Sequence, residues 1–139
     1  MSFDLKKNDS QKLAEQGYTF DVVMPDGTIT DMKFEIRGSK SKIVVDFYRN
    51  YFSKRQVSDN AYKKRYGRDP EPISFAESED FAIEASALRI KGWSNVVEDK
   101  VEIKYSPEEA TRLMREYPDL REVVMKESEE LLNFRPAGD

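Results

Sequence analysis

The chain contains no cysteine and no histidine. Without a thiolate or an imidazole, Ser-His and Cys-His nucleophilic systems are impossible, as are zinc sites built from nitrogen and sulfur ligands. A disulfide scaffold is excluded on the same ground. Long apolar runs are missing too. No stretch approaches the roughly 20 residues that a membrane helix needs, and residues 1–17 hold no apolar segment of the signal-peptide kind. The expected location is the cytoplasm of the producing cell, with no membrane partner. Carboxylates, lysine, tyrosine and hydroxyls remain, so composition leaves carboxylate-only chemistry open. The placement of the acids argues for surface instead. Glu77, Glu79 and Asp80 fall at the start of an expected helix, where negative charge suits the positive end of the dipole. Asp26-Gly27 lacks the Asp-x-Asp-x-Asp-Gly run of a calcium loop and reads as a turn. The expected role is therefore non-enzymatic, with no metal and no cofactor.

What is present in abundance is charge. Of 139 residues 36% are charged, with a formal net charge of -4. This length fits one domain with a real core. The charge is segregated along the chain. From Ser39 to Arg68 there are nine Lys or Arg against Asp46 and Asp59, a local excess of seven positive charges, whereas residues 69–84 carry acids only. Lys63-Lys64-Arg65-Tyr66, with Tyr62 beside it, has the composition of a basic, aromatic-studded nucleic-acid patch. The acidic whole and the absence of a nucleic-acid motif favour a solvated helix end or a mobile connection. That connection would reach the Gly67-Arg68-Asp69-Pro70-Glu71-Pro72 break.

The local signals outline a helix-dominated α+β domain spanning 1–139, with an N-terminal β-hairpin packed on a bundle of about four to five helices. Residues 1–16 and 135–139 are expected to be its flexible ends. Asp9 or Ser10 caps a short helix that Gly17 ends. Two β-rich runs, 18–24 and 28–37, flank Pro25-Asp26-Gly27 as a hairpin with one wet face and one face covered by helices. Ser74, with Glu77 at the capping-box position, opens a helix through Ile90, which Gly92 ends as a left-handed residue. Val101, Ile103 and Tyr105 then point one way from a short strand after a tight reversal. Ser106, Pro107 and Glu109 carry cap, first-turn proline and capping-box signals for the next helix. Its apolar stripe is Ala110, Leu113, Met114 and Tyr117. Pro118 stops it and opens the last helix, in which Leu120, Val123, Val124, Leu131 and Phe134 share a face.

The helix from Ser41 to about Arg55 is the most informative about partners. At about 100° per residue, Ile43, Val44, Val45, Phe47, Tyr48, Tyr51 and Phe52 spread over about 200°, twice the arc of one core-facing stripe. Such a helix either lies centrally in the domain or buries a second face against another molecule. Phe47, Tyr48, Tyr51 and Phe52 are therefore candidate partner-binding residues. Trp93, the only tryptophan, joins them as either a packed anchor or a partner hot spot.

Five segments occur in a suggestive order: Met1-Ser2-Phe3-Asp4-Leu5-Lys6-Lys7; Pro25-Asp26-Gly27 and the strand leading to Gly38-Ser39-Lys40-Ser41-Lys42; Lys91-Gly92-Trp93; the block from Tyr105 to Arg121; and Asn133-Phe134. Together they resemble the tail assembly chaperones of long-tailed bacteriophages and prophages. The resemblance spans nearly the whole chain except about 55–81, and it rests on order and spacing. It implies a protein that self-associates and coats the tape measure protein until tail-tube subunits polymerise and displace it. Such a protein acts in the host cytoplasm and is absent from the finished virion. The resemblance also implies that 134–139 form a junction tail. Two other roles compete: a small nucleic-acid-binding regulator using the basic stretch 39–68, and a structural tail-completion protein.

Overall fold

The computed structural model describes residues 2–136. Among them the order is α1 (Ser10–Gln16), β1 (Tyr18–Val23), β2 (Ile29–Ile36), α2 (Lys42–Tyr66), α3 (Phe75–Arg89), β3 (Ile90–Ser94), β4 (Val97–Glu98), β5 (Val101–Glu102), α4 (Pro107–Glu116) and α5 (Pro118–Glu129). A short 3-10 turn, Leu131–Asn133, follows. The fold is α+β: a hairpin extended into a sheet and then a bundle of helices.

The β1–β2 hairpin reverses at Met24. The Gly27 N–H donates to the Met24 carbonyl at 2.8 Å, and the Thr28 N–H donates to the Asp26 carboxylate at 3.0 Å. Gly27 takes a φ of 91°, which a side chain would resist. Antiparallel register sets Phe20 against Phe34 and Tyr18 against Ile36. Phe20, Val22, Phe34 and Ile36 are buried while Thr19, Asp21, Lys33 and Glu35 are exposed, so one face is covered and the other is wet. The cover comes from Ile83 of α3, Leu113 and Met114 of α4, and Leu120, Val123 and Val124 of α5, all within one hydrophobic core.

Three caps form where local chemistry dictates. Asp9 accepts from the Gln11 and Lys12 N–H groups, Ser74 from Glu77 N–H at 3.1 Å, and Ser106 from Glu109 N–H at 3.0 Å. Neither capping box closes, because Glu77 turns to Arg55 and Glu109 to Arg112, both stronger partners than a backbone N–H. At the start of α2, Ser41 makes no side-chain cap bond. The Glu15 carboxylate arrives from α1 and accepts from Lys42 N–H at 3.2 Å.

Several local expectations are corrected by tertiary pairing. Of the two readings of residues 56–66, a solvated helix end or a mobile connection, the structure shows the first. These residues continue α2 to Tyr66, where Gly67 closes the helix in the left-handed region at a φ of 67°. Gly92 is no left-handed cap. The α3 helix stops at Arg89 because Ile90 to Ser94 pair with β2 as a third strand, setting Trp93 against Phe34 and Gly92 against Glu35. Val101 is exposed while Ile103 and Tyr105 are half-buried, and Tyr117 and Leu131 also leave their expected apolar stripes for the surface. The reversal before Val101 is tight, with Asp99 and Lys100 both at positive φ.

Of the two expected flexible ends, Met1 and residues 137–139 lie outside the described residues. Ala14 of α1 is 2% exposed, and Phe134, the first residue of the expected junction tail, is 9% exposed against the Tyr18 ring. No helix among the described residues is long and apolar enough to cross a membrane.

Candidate partner-binding site

The α2 helix has 25 residues, about 37 Å of helix at 1.5 Å per residue. Its first half packs on the domain and its second half stands clear. The crossing point is a cluster of rings around Phe81 of α3. Phe81 lies 5.5 Å from Phe47, 5.2 Å from Tyr48, 4.4 Å from Tyr51 and 6.0 Å from Phe52, centroid to centroid. Offset and edge-on rings at these separations attract beyond their area of contact. Four of the five candidate residues therefore meet on one ring. The first three are half-buried, and Phe52 keeps 57% of its surface exposed. Phe81 is the residue that the periodicity of α2 could not reveal. Its pairing with α2 needs the turn at Gly67 and the return of α3 alongside.

Tyr48 is also tied inward. Its hydroxyl accepts from Arg89 at 3.3 Å, and the guanidinium stands 5.6 Å from its ring. Arg89 is 2% exposed. It donates to the Ala85 carbonyl at 2.6 Å and the Ser128 hydroxyl at 2.9 Å, and no carboxylate pairs with it among the described residues. Its acceptors are thus one carbonyl near the C-terminal end of α3 and two hydroxyls, those of Ser128 and Tyr48. Arg37 caps the same end of α3, donating to the Leu88 carbonyl at 2.9 Å.

Just beyond the rings, the Arg55 guanidinium donates to Glu77 at 2.7 Å, and the Tyr51 hydroxyl donates to the same oxygen at 3.1 Å. The hydrogen bond from Arg55, aided by that from Tyr51, holds the Glu77 carboxyl below its ordinary value. Burial and then Glu77 push the Tyr51 phenol up. Asp80 turns elsewhere, to Arg115 at 3.1 Å. The acids at the start of α3 thus serve separate cations, and no three carboxylates gather as a metal site among the described residues.

Trp93 lies apart, on the sheet. Its ring packs 5.4 Å from Phe34 and 5.1 Å from Tyr105, and its indole N–H donates to the Ile103 carbonyl at 2.7 Å. That geometry pins the segment after β5 onto the sheet. No ring contact among the described residues joins Trp93 to the α2 aromatics. A groove of 360 Å3 separates the two groups, walled by Ile43, Phe47, Leu88 and Tyr105. A second groove of 490 Å3 runs beside the outer half of α2, between Tyr51, Arg55 and Tyr62 and the returning Pro70.

From residue 52 to residue 78 no side chain is buried, although the segment includes Phe52, Val57, Ile73 and Phe75, exposed by 57, 70, 44 and 83%. This arm, helical to Tyr66 and again from Phe75 with a non-helical return between, has almost no core of its own. The family model described as YdaY prophage protein matches residues 48–138, taking in the arm and everything after it. The chain belongs to this family of prophage proteins. No curated protein matches the chain, and no solved structure does. Tyr48, Tyr51, Phe52 and Trp93 fall within the span matched by the YdaY family, while Phe47 and the hairpin precede it.

Proposed function

We propose that this YdaY-family protein is a tail assembly chaperone, one that binds the tape measure protein in several copies and keeps it soluble until tail-tube subunits polymerise around it. The observation that carries the reading is the arm: a helix and its return, 52–78, with large apolar side chains exposed and no buried residue. Isolated helical segments draw most of their stability from packing, so such an arm gains by burying Phe52, Ile73 and Phe75 against a partner. Prophage membership and the order of segments shared with tail assembly chaperones support the same reading. A long helical client with repeated apolar stripes suits small modules that each bind weakly, since avidity comes from number while displacement proceeds one module at a time. Phe52, with Phe47 and Tyr51 beside it, would meet the client, and the role is binding without catalysis in the host cytoplasm.

Co-expression with the tape measure protein of the same prophage, followed by gel filtration with light scattering, tests this. The expected result is a soluble complex with many copies per client, the client being insoluble alone. A client that stays soluble by itself and does not co-elute would refute the reading. Presence of the chain in purified virions would point to a tail-completion component.

A further inference from the structure

The outer half of α2 exposes a straight stripe at Lys54, Val57, Ala61 and Lys64, spaced i, i+3, i+7, i+10 and therefore on one helix face. The α5 helix exposes the same spacing with acids at both ends and one base within: Asp119, Glu122, Lys126 and Glu129. Neither lysine of the first stripe, and none of the three carboxylates of the second, has an ion-pair partner among the described residues. Each stripe covers about 15 Å at 1.5 Å per residue. Laid side by side in either direction, the terminal lysines of one meet terminal carboxylates of the other. Val57 and Ala61 between them are small enough for close helix approach. The wider charge balance agrees, since 39–68 carry an excess of seven positive charges within a chain of net -4.

From this complementarity we infer that the α2 stripe of one copy docks on the α5 stripe of a second copy. Two different surfaces meet, so the contact is head-to-tail and repeats, giving an open helical array or a closed ring in place of a two-fold dimer. The inference rests on the reading that copies gather on one client, and it names the surfaces through which they touch. The client-facing aromatics lie at Phe52, apart from both stripes.

The test uses the full chain in sedimentation velocity at low and high salt, with two double charge reversals: Lys54→Glu with Lys64→Glu, and Asp119→Lys with Glu129→Lys. All four sites are exposed, so circular dichroism should be unchanged. Wild type is expected to self-associate and to dissociate as salt rises. Each double variant alone should associate on the order of tenfold more weakly, because every reversal turns an attraction into a repulsion. An equimolar mixture of the two should regain association. Wild type that stays monomeric, variants that assemble like wild type, or a mixture that fails to recover would each overturn the proposal. So would loss of DNA retention in the lysine variant with its assembly state unaltered, which would mark a nucleic-acid surface. Client co-purification by the lysine variant is read in parallel, and its retention separates failure of this contact from failure of the chaperone reading.

Discussion

Replacing Ser128 with alanine tests the buried polar centre of the fold. The Ser128 hydroxyl accepts from the Arg89 guanidinium at 2.9 Å and donates to the Arg37 carbonyl at 2.7 Å. Ser128 is 1% and Arg89 2% exposed, so water cannot take over either bond. One oxygen is lost and almost no volume, which keeps the cavity contribution small. The orphaned N–H of a buried cation costs about 2 kcal/mol and the carbonyl about 1 kcal/mol more. Ser128→Ala should therefore lower stability by about 3 kcal/mol. In urea, with a slope of about 2 kcal/mol/M, the midpoint falls by about 1.5 M at unchanged slope. The melting temperature drops by about 10 °C. Trp93 fluorescence reports the sheet and circular dichroism the helices, and coincident transitions justify a two-state reading. The decisive comparison is a cycle with Arg89→Met, which removes the charge and leaves an apolar chain of similar reach. In that background Ser128→Ala should cost only about 1 kcal/mol. A loss below about 1 kcal/mol in the native background, or equal losses in both, would refute the argument.

Four further outcomes are expected. Ser41 is fully buried with its hydroxyl unpartnered among the described residues, so Ser41→Ala should raise stability by about 1 kcal/mol in the same urea assay. Gly38→Ala should destabilise by about 2 kcal/mol, because the added Cβ would stand 2.8 Å from the Ala14 Cβ and 3.2 Å from the Phe134 ring; an unchanged midpoint would show that α1 moves aside freely. Phe81→Ala should cost about 2 kcal/mol by emptying the centre of the aromatic cluster, whereas Phe52→Ser should stay within about 0.5 kcal/mol of wild type and still weaken client retention. The folded-state lowering of Glu77, caused chiefly by Arg55, acts on stability with a definite sign: its contribution is present above the ordinary carboxyl value of 4.5 and is lost as pH falls through the lower folded value. Acid titration of unfolding should show that loss beginning below about pH 4.5, and Glu77→Gln should remove it.

Much of the local architecture was legible because its causes lie within four residues of one another. Asp9, Ser74 and Ser106 cap helices since their side chains reach the next free N–H groups, and Pro25-Asp26-Gly27 turns the hairpin for the same kind of reason. The candidate aromatics were visible as an arc wider than one core face. Phe81, the ring on which four of them converge, was not. Nor was the burial of Arg89, an arginine that reads in isolation as a basic residue near a helix end and that owes its place to Ser128, 39 residues away.

The sequence by itself determined the helix starts, the hairpin, the absence of imidazole and thiol chemistry, and the segregation of charge, all of them properties of neighbouring residues or of composition. Tertiary structure decided that Ile90 to Ser94 leave the helix for the sheet, that α2 runs on to Tyr66, and that its arm stands uncovered. The reason is range. Caps and turns are chosen by groups a few residues apart, while the pairing of Phe34 with Trp93 and the meeting of Tyr51 with Phe81 depend on surfaces that only the folded chain brings together.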